Sequence, residues 1–201
     1  MKTRPLIVTA AIVGLLVLAG SSFAQGSARL AKPIYIQATA MGTSTQLGRI
    51  TSVNINIYEF STADDQKALL EAFTAKGNEG LVNALEKMSS KGRAMITGTL
   101  GFDVTYIRAF KQPDGSTKIR MVTNRPIRFG ELWSDSRSLD YNLAGLELIV
   151  TKDKKGKLKA EGTAAPACKF KMDKNNQIEL ELLQNAWKLT NVDIKNFVPK
   201  S

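Results

Sequence analysis

Phe102-Asp103-Val104-Thr105-Tyr106-Ile107-Arg108-Ala109-Phe110, then Pro113-Asp114-Gly115-Ser116, then Thr117-Lys118-Ile119-Arg120-Met121-Val122-Thr123 is the stretch on which the fold turns. Two β-rich runs are joined by a short segment in which Pro presets φ and Gly accepts a left-handed backbone, so the chain must double back on itself. The same grammar repeats downstream. Strands are predicted at 93–97, 102–110, 117–123, 143–152, 157–161, 167–172, 178–183 and 189–194, with Asp153-Lys154-Lys155-Gly156 and Asp173-Lys174-Asn175-Asn176 as further turns. Short turns between consecutive strands make them antiparallel neighbours. The segment 178–187 also fits a helical period through Glu179, Leu182 and Leu183, but Ile178, Leu180 and Leu182 alternating with Glu179 and Glu181 favour a strand.

Upstream, Val53, Ile55 and Ile57 alternate with Asn54 and Asn56 at the period of a half-buried strand. Ser61-Thr62-Ala63-Asp64 then opens a helix whose first turn carries Asp64 and Asp65 and whose apolar face is Leu69, Ala72 and Phe73. Gly77 stops it. Asn78 caps a second helix with the stripe Leu81, Ala84, Leu85 and Met88. The expected fold is α+β: an antiparallel curved sheet or partly closed barrel of about 7–9 strands, with two helices inserted after the first main strand.

The N-terminus reads as an export signal. Lys2 and Arg4 precede an apolar run from Leu6 to Ala19, and Ser22-Phe23-Ala24 supplies the small residues of a cleavage site. The domain plan is therefore a signal peptide at 1–24, a mobile leader at 25–48 containing one short strand at 34–38, and a single α+β domain at 49–198. Cleavage would leave an extracytoplasmic chain, periplasmic or secreted, with no transmembrane anchor. Of 28 basic residues it loses Lys2 and Arg4, and of 18 acidic residues none, so the mature chain carries a net charge of +8.

Composition removes several chemistries. With no His and one Cys, the chain cannot assemble a Ser-His-Asp or Cys-His nucleophile or a zinc site of His and Cys ligands. No metal or other cofactor is expected. Cys168 alternates with Lys169 and Lys171 and shares a face with Phe170 and Met172, the pattern of a small buried hydrophobe.

One segment interrupts the rhythm of strands. About a dozen residues from Phe129 to Tyr141 gather Phe129, Trp133 and Tyr141 with Glu131, Asp135, Arg137 and Asp140, and a loop of that length is a natural place for a site. Phe129, Trp133, Arg137, Asp140 and Tyr141 are the candidate ligand-binding residues, with packing of Trp133 against the sheet end as the competing structural role. No residue is assigned a catalytic role. A second feature is basic: Lys152, Lys154, Lys155, Lys157 and Lys159 crowd one hairpin, which would suit an anionic surface or simply keep a solvent face soluble. The hairpin lacks interleaved aromatics, which argues against nucleic acid.

The order of one strand, two helices and a meander resembles helix-grip lipid- and steroid-binding domains, although no closing helix follows Leu189; a lipocalin-like barrel fits equally well. Gly98-Thr99-Leu100-Gly101-Phe102-Asp103, Asn124-Arg125-Pro126-Ile127, and Trp133 followed by Arg137-Ser138-Leu139-Asp140-Tyr141 resemble an uncharacterised family of exported bacterial proteins. That resemblance spans roughly 58–194 and, carrying no known activity, implies no residue's role.

The functional expectation is a non-catalytic extracytoplasmic binding or accessory domain for an apolar small molecule or a protein partner. The alternatives are a His-free enzyme using Glu131, Asp135 or Asp140 on a glycan, and a basic protein that associates with surfaces. Edman sequencing of the exported chain should begin at or within a few residues of Gln25; intact Met1 recovered from membranes would contradict the export reading.

Overall fold

The computed structural model describes residues 29–125, 143–173, 177–181 and 186–199. Nine strands run in the order β1 (Ile34–Gly42), β2 (Ile50–Ile57), β3 (Gly92–Ile96), β4 (Phe102–Lys111), β5 (Thr117–Thr123), β6 (Leu143–Lys152), β7 (Leu158–Met172), β8 (Ile178–Glu181) and β9 (Trp187–Lys195), with one helical element, α1 (Ala63–Lys87), between β2 and β3. Every pairing is antiparallel. Strands β6-β5-β4-β3-β2-β1-β9-β7 form a ring that a β6–β7 ladder closes, and β8 lies outside it on the far half of β7. The result is an eight-stranded closed barrel with one extra strand and one helical element.

Closure rests on three residues of β7. Gly162, Thr163 and Ala164 pair on one edge with Leu148, Glu147 and Leu146, and on the other with Leu189, Lys188 and Trp187. A Cβ on Gly162 would lie 2.1 Å from the Glu147 carbonyl oxygen, so only glycine allows the strands to approach this closely.

Closure also changes the role of the N-terminal stretch. Residues 34–42, within the segment expected to be a leader, pair with β2 on one edge and β9 on the other, and bury Ile34, Ile36, Ala38 and Ala40. Gln37, Thr39 and small residues made this strand look weak; pairing with β2 and with the distant β9 supplies its stability. The segments expected at 157–161 and 167–172 likewise merge into one 15-residue strand. The closing helix of the helix-grip order has no counterpart among the described residues. Strand β9 does that work.

Bulges set which side chains face the axis. Between Val104 and Tyr106 the β4–β5 register shifts by one residue, so Val104 and Ile107 point inward while Tyr106 points out toward α1. A second shift, where Leu143 and Gly145 face Cys168 and Ala165, turns Cys168 and Phe170 to the outer layer as well.

Two apolar layers follow. Within the barrel, Ile55, Ile107, Ile119, Met121, Leu148, Trp187 and Leu189 are buried, and Phe102, Leu158, Val192 and Ile194 pack against them partly exposed. These side chains form one apolar core of the kind an eight-stranded barrel can fill. The outer layer packs Leu69, Leu81 and Leu85 of α1 on Tyr106, Val122, Leu143, Cys168, Phe170 and Leu180.

Thr62 and Asp65 form a capping box that starts α1, each side chain accepting from the other's backbone N–H at 2.8–2.9 Å. The helical path breaks at Lys76 and Gly77, the latter at φ +59°, where glycine is favoured. Beyond the break the chain folds back: a Cβ on Gly80 would meet the Ala72 carbonyl at 2.1 Å, whereas eight residues of straight helix span about 12 Å. The expected pair of helices is thus one element in two arms. Asn78 joins it to the sheet, donating to the Phe170 carbonyl at 3.2 Å and accepting the Phe170 N–H at 2.9 Å.

Leu85, fully buried in the outer layer, should cost about 2–5 kcal/mol when truncated to Ala, through lost transfer energy and a residual cavity. A urea unfolding midpoint unchanged in Leu85→Ala would show that α1 is not anchored by this stripe.

Candidate functional site

The residues proposed from sequence as the binding loop, Phe129, Trp133, Arg137, Asp140 and Tyr141, lie outside the described residues, as do Glu131 and Asp135. The described residues do place that segment's two ends. Thr123 closes β5 and Leu143 opens β6, and the buried Thr123 hydroxyl accepts the Ala144 N–H at 3.1 Å. Strand directions put both at the barrel end that also carries the β1–β2 hairpin and the β3–β4 turn.

That end has an unusual surface. Leu47 in the first hairpin is 83 % exposed, Ile50 66 %, Met41 42 %, and Leu100 in the neighbouring turn 91 %; these are four of the six exposed large apolar side chains among the described residues. Met41 and Ile50 are direct cross-strand partners. The two turns are linked by the Thr97 N–H donating to the Ser52 carbonyl at 3.2 Å. Leu100 is held out by Arg93, whose Nη2 and Nε donate to the Leu100 carbonyl at 2.6 and 3.1 Å while Nη1 pairs with Asp103 at 3.3 Å.

Cations surround these side chains. Arg49, Lys188 and Arg125 have no carboxylate within 4.0 Å among the described residues, and the Arg125 guanidinium lies 5.3 Å from the centroid of the Phe102 ring. Arg49 Nη1 and Gln46 Oε1 are shielded by the hairpin and make no hydrogen bond. The Thr43 hydroxyl donates to the Ala186 carbonyl, fixing the hairpin against the entry to β9. Periodicity arguments missed this surface because Met41 and Leu47 fell in the supposed leader; the signal was Met41, Leu47 and Ile50 in a Thr- and Ser-rich stretch.

The lysine-rich hairpin sits at the opposite end. Lys152, Lys154, Lys155, Lys157 and Lys159 are all exposed, and the Asp153 carboxylate organises the turn by accepting the Lys155 and Lys157 N–H groups at 2.9 Å. No large exposed apolar side chain accompanies the lysines.

A third cluster lies on the outer wall, in a row across β4, β5 and β6. Arg108 faces Arg120, and Arg120 faces Glu147. Opposed like charges are destabilising, yet both arginines are buried. Arg120 Nε donates to Glu147 at 2.5 Å and its Nη1 to the Ile178 carbonyl, Arg108 Nη1 donates to the Thr62 carbonyl at 2.9 Å, and the Phe110 ring lies 5.5–5.9 Å from the two guanidiniums. Each bond joins the barrel wall to α1, β6 or β8, so the cluster fastens the outer layer. Lys91 does the same at the base of α1, paired with Glu59 and, at 3.6 Å, with Asp65.

Beneath this layer, burial pushes the Tyr106 hydroxyl up to about 12 against the opposing pull of Arg108 and Arg120. Burial, reinforced by the Glu147 carboxylate, holds the Cys168 thiol above the usual thiol range. Cys168 is the buried hydrophobe its pattern predicted. Among the described residues no group of three or more His, Cys, Asp or Glu is arranged to hold a metal ion, and no helix is long and apolar enough to cross a membrane.

No family model, curated protein or solved structure matches the chain.

The two raised groups imply an alkaline weakness. Both keep their protons in the folded state at a pH where the unfolded chain has begun to lose them, so the unfolded state binds fewer protons and stability falls with rising pH. The loss should begin near the ordinary thiol range, about 8.5, and continue toward the Tyr106 value of about 12. Urea midpoints measured across that interval should decline, and the decline should flatten in a Tyr106→Phe, Cys168→Ala double variant. The native thiol should also resist aromatic disulfide reagents until urea unfolds the chain; immediate labelling would place Cys168 at the surface.

Proposed function

We propose that this chain is an exported, non-catalytic binding or accessory domain whose working surface is the barrel end formed by the β1–β2 hairpin and the β3–β4 turn. The observation that carries the reading is the gathering of Leu47, Ile50, Met41 and Leu100 at one end of the barrel, with Arg49, Lys188 and Arg125, which have no carboxylate partner among the described residues. A packed interior leaves recognition to the outside, because an apolar ligand inside would have to displace the side chains of the core. Solitary exposed leucines need no explanation. Several on adjacent turns, ringed by cations, favour a partner that is part apolar and part anionic.

Three features support the rest of the reading. The 1–24 segment has the chemistry of a cleavable export signal. The lack of His removes the commonest acid–base catalyst. Thr123 and Leu143, which flank the segment containing Phe129, Trp133, Arg137, Asp140 and Tyr141, stand at the same barrel end.

A photo-crosslinking phenylalanine analogue tests this in exporting cells when placed at position 47 or 100 at the proposed end, or at 154 in the lysine hairpin. Adducts at 47 and 100 and none at 154 are expected. Adducts confined to 154 would move the function to the basic hairpin.

A further inference from the structure

The chemistry of this surface narrows its partner. We propose that the β1–β2 and β3–β4 end docks on an anionic phospholipid bilayer, with Leu47, Ile50 and Leu100 entering the boundary between headgroups and acyl chains while Arg49, Lys188 and Arg125 meet lipid phosphates. The inference rests on the reading of this end as the working surface.

The arrangement of the apolar groups favours a bilayer over a folded protein partner. A protein interface presents a continuous, well-packed apolar centre with a polar rim. Here the large side chains stand apart, Leu47 and Leu100 at the tips of two turns, with the exposed Thr43, Ser44 and Thr97 among them. Separate apolar projections need no complementary floor to enter a lipid boundary, and each removes its own apolar area from water. Leu100 is also rigidly presented, since three hydrogen bonds from Arg93 brace its turn. A braced turn loses little further backbone freedom on insertion.

Charge points the same way. Among the described residues on this side of the barrel end, the cations are Arg49, Arg93, Arg125 and Lys188 and the one carboxylate is Asp103, which Arg93 already engages. That leaves a local excess of three positive charges around the apolar tips. Cations near an anionic leaflet each add about 1 kcal/mol of attraction. The exposed Arg125 and Lys188 side chains have donors that phosphate oxygens would satisfy. The lysine hairpin carries comparable charge without apolar tips, which makes it an internal control for simple electrostatic adhesion.

Vesicle flotation with the exported chain, freed of residues 1–24, provides the test. The chain should float with mixed phosphatidylglycerol–phosphatidylcholine vesicles and remain behind with phosphatidylcholine alone. Leu47→Asp combined with Leu100→Asp should lower the bound fraction about tenfold or more, and Arg49→Gln or Lys188→Gln about fivefold each. Lys154→Gln with Lys155→Gln should leave binding unchanged. Leu47, Leu100, Lys154, Lys155 and Lys188 are exposed and Arg49 partly so, and each variant should keep the wild-type thermal midpoint by circular dichroism. Three outcomes would overturn the bilayer: no flotation with the mixed vesicles, flotation indifferent to the Leu47 and Leu100 substitutions, or equal loss from the hairpin lysines. Protein adducts from position 47 without vesicle binding, or self-association abolished by Leu47→Asp, would likewise reject the bilayer while keeping the surface. The absence of any adduct at 47 and 100 would remove the reading beneath it.

Discussion

The whole architecture depends on a three-residue overlap in which Gly162, Thr163 and Ala164 of β7 hydrogen-bond to β6 and β9 at once. Without it the sheet would be an open ribbon ending in two unpaired edges, a standing invitation to pair with other chains. With it, strands from the two extremes of the chain become neighbours, and the inward faces of all eight staves enclose one core. Gly162 is the residue that makes the overlap sterically possible, because its missing Cβ is the space taken by the Glu147 carbonyl.

Closure in turn dictates how the outside is built. A closed barrel has its own core, so anything packed on its outer wall needs an apolar patch of its own. Two bulges create that patch by rotating Tyr106 and then Cys168 and Phe170 outward. The broken helical element and β8 cover it, and buried charges fasten the cover at its margins: Lys91 with Glu59 and Asp65 at one place, Arg108, Arg120 and Glu147 at another. Such pairs gain little net stability over apolar replacements but are costly to break singly, so they set where the cover sits more than how strongly it holds.

The two ends of this scaffold differ in what they expose. The bottom end gathers the helical connections and a lysine turn shaped by Asp153; the top gathers protruding apolar side chains, cations with no carboxylate partner among the described residues, and the strand ends that flank residues 126–142. Four of the six exposed large apolar side chains among the described residues lie at the top, an asymmetry that amino-acid composition does not reveal.

Local chemistry alone determined a large part of this. Strands at 117–123 and 143–152 were legible to the residue, because turn formers bracket runs of β-favouring side chains, and Gly77 marked the break in α1 because no other residue tolerates that backbone so readily. The face shared by Cys168 and Phe170, and the helical stripe through Leu69, Leu81 and Leu85, followed from periods of 2.0 and 3.6. Only the tertiary structure decided that Ile34–Gly42 is a barrel stave, that β7 is continuous, that the sheet closes without a helix and that its interior is one apolar core. Each of those depends on contacts between residues far apart in the chain, such as Ile36 with Ile194 or Gly162 with Leu189, and pairing energy of that kind leaves no periodic trace in either partner. The surface at the top was hidden for the same reason: Leu47 and Leu100 are separated by half a hundred residues and become one surface only when the Thr97 N–H meets the Ser52 carbonyl.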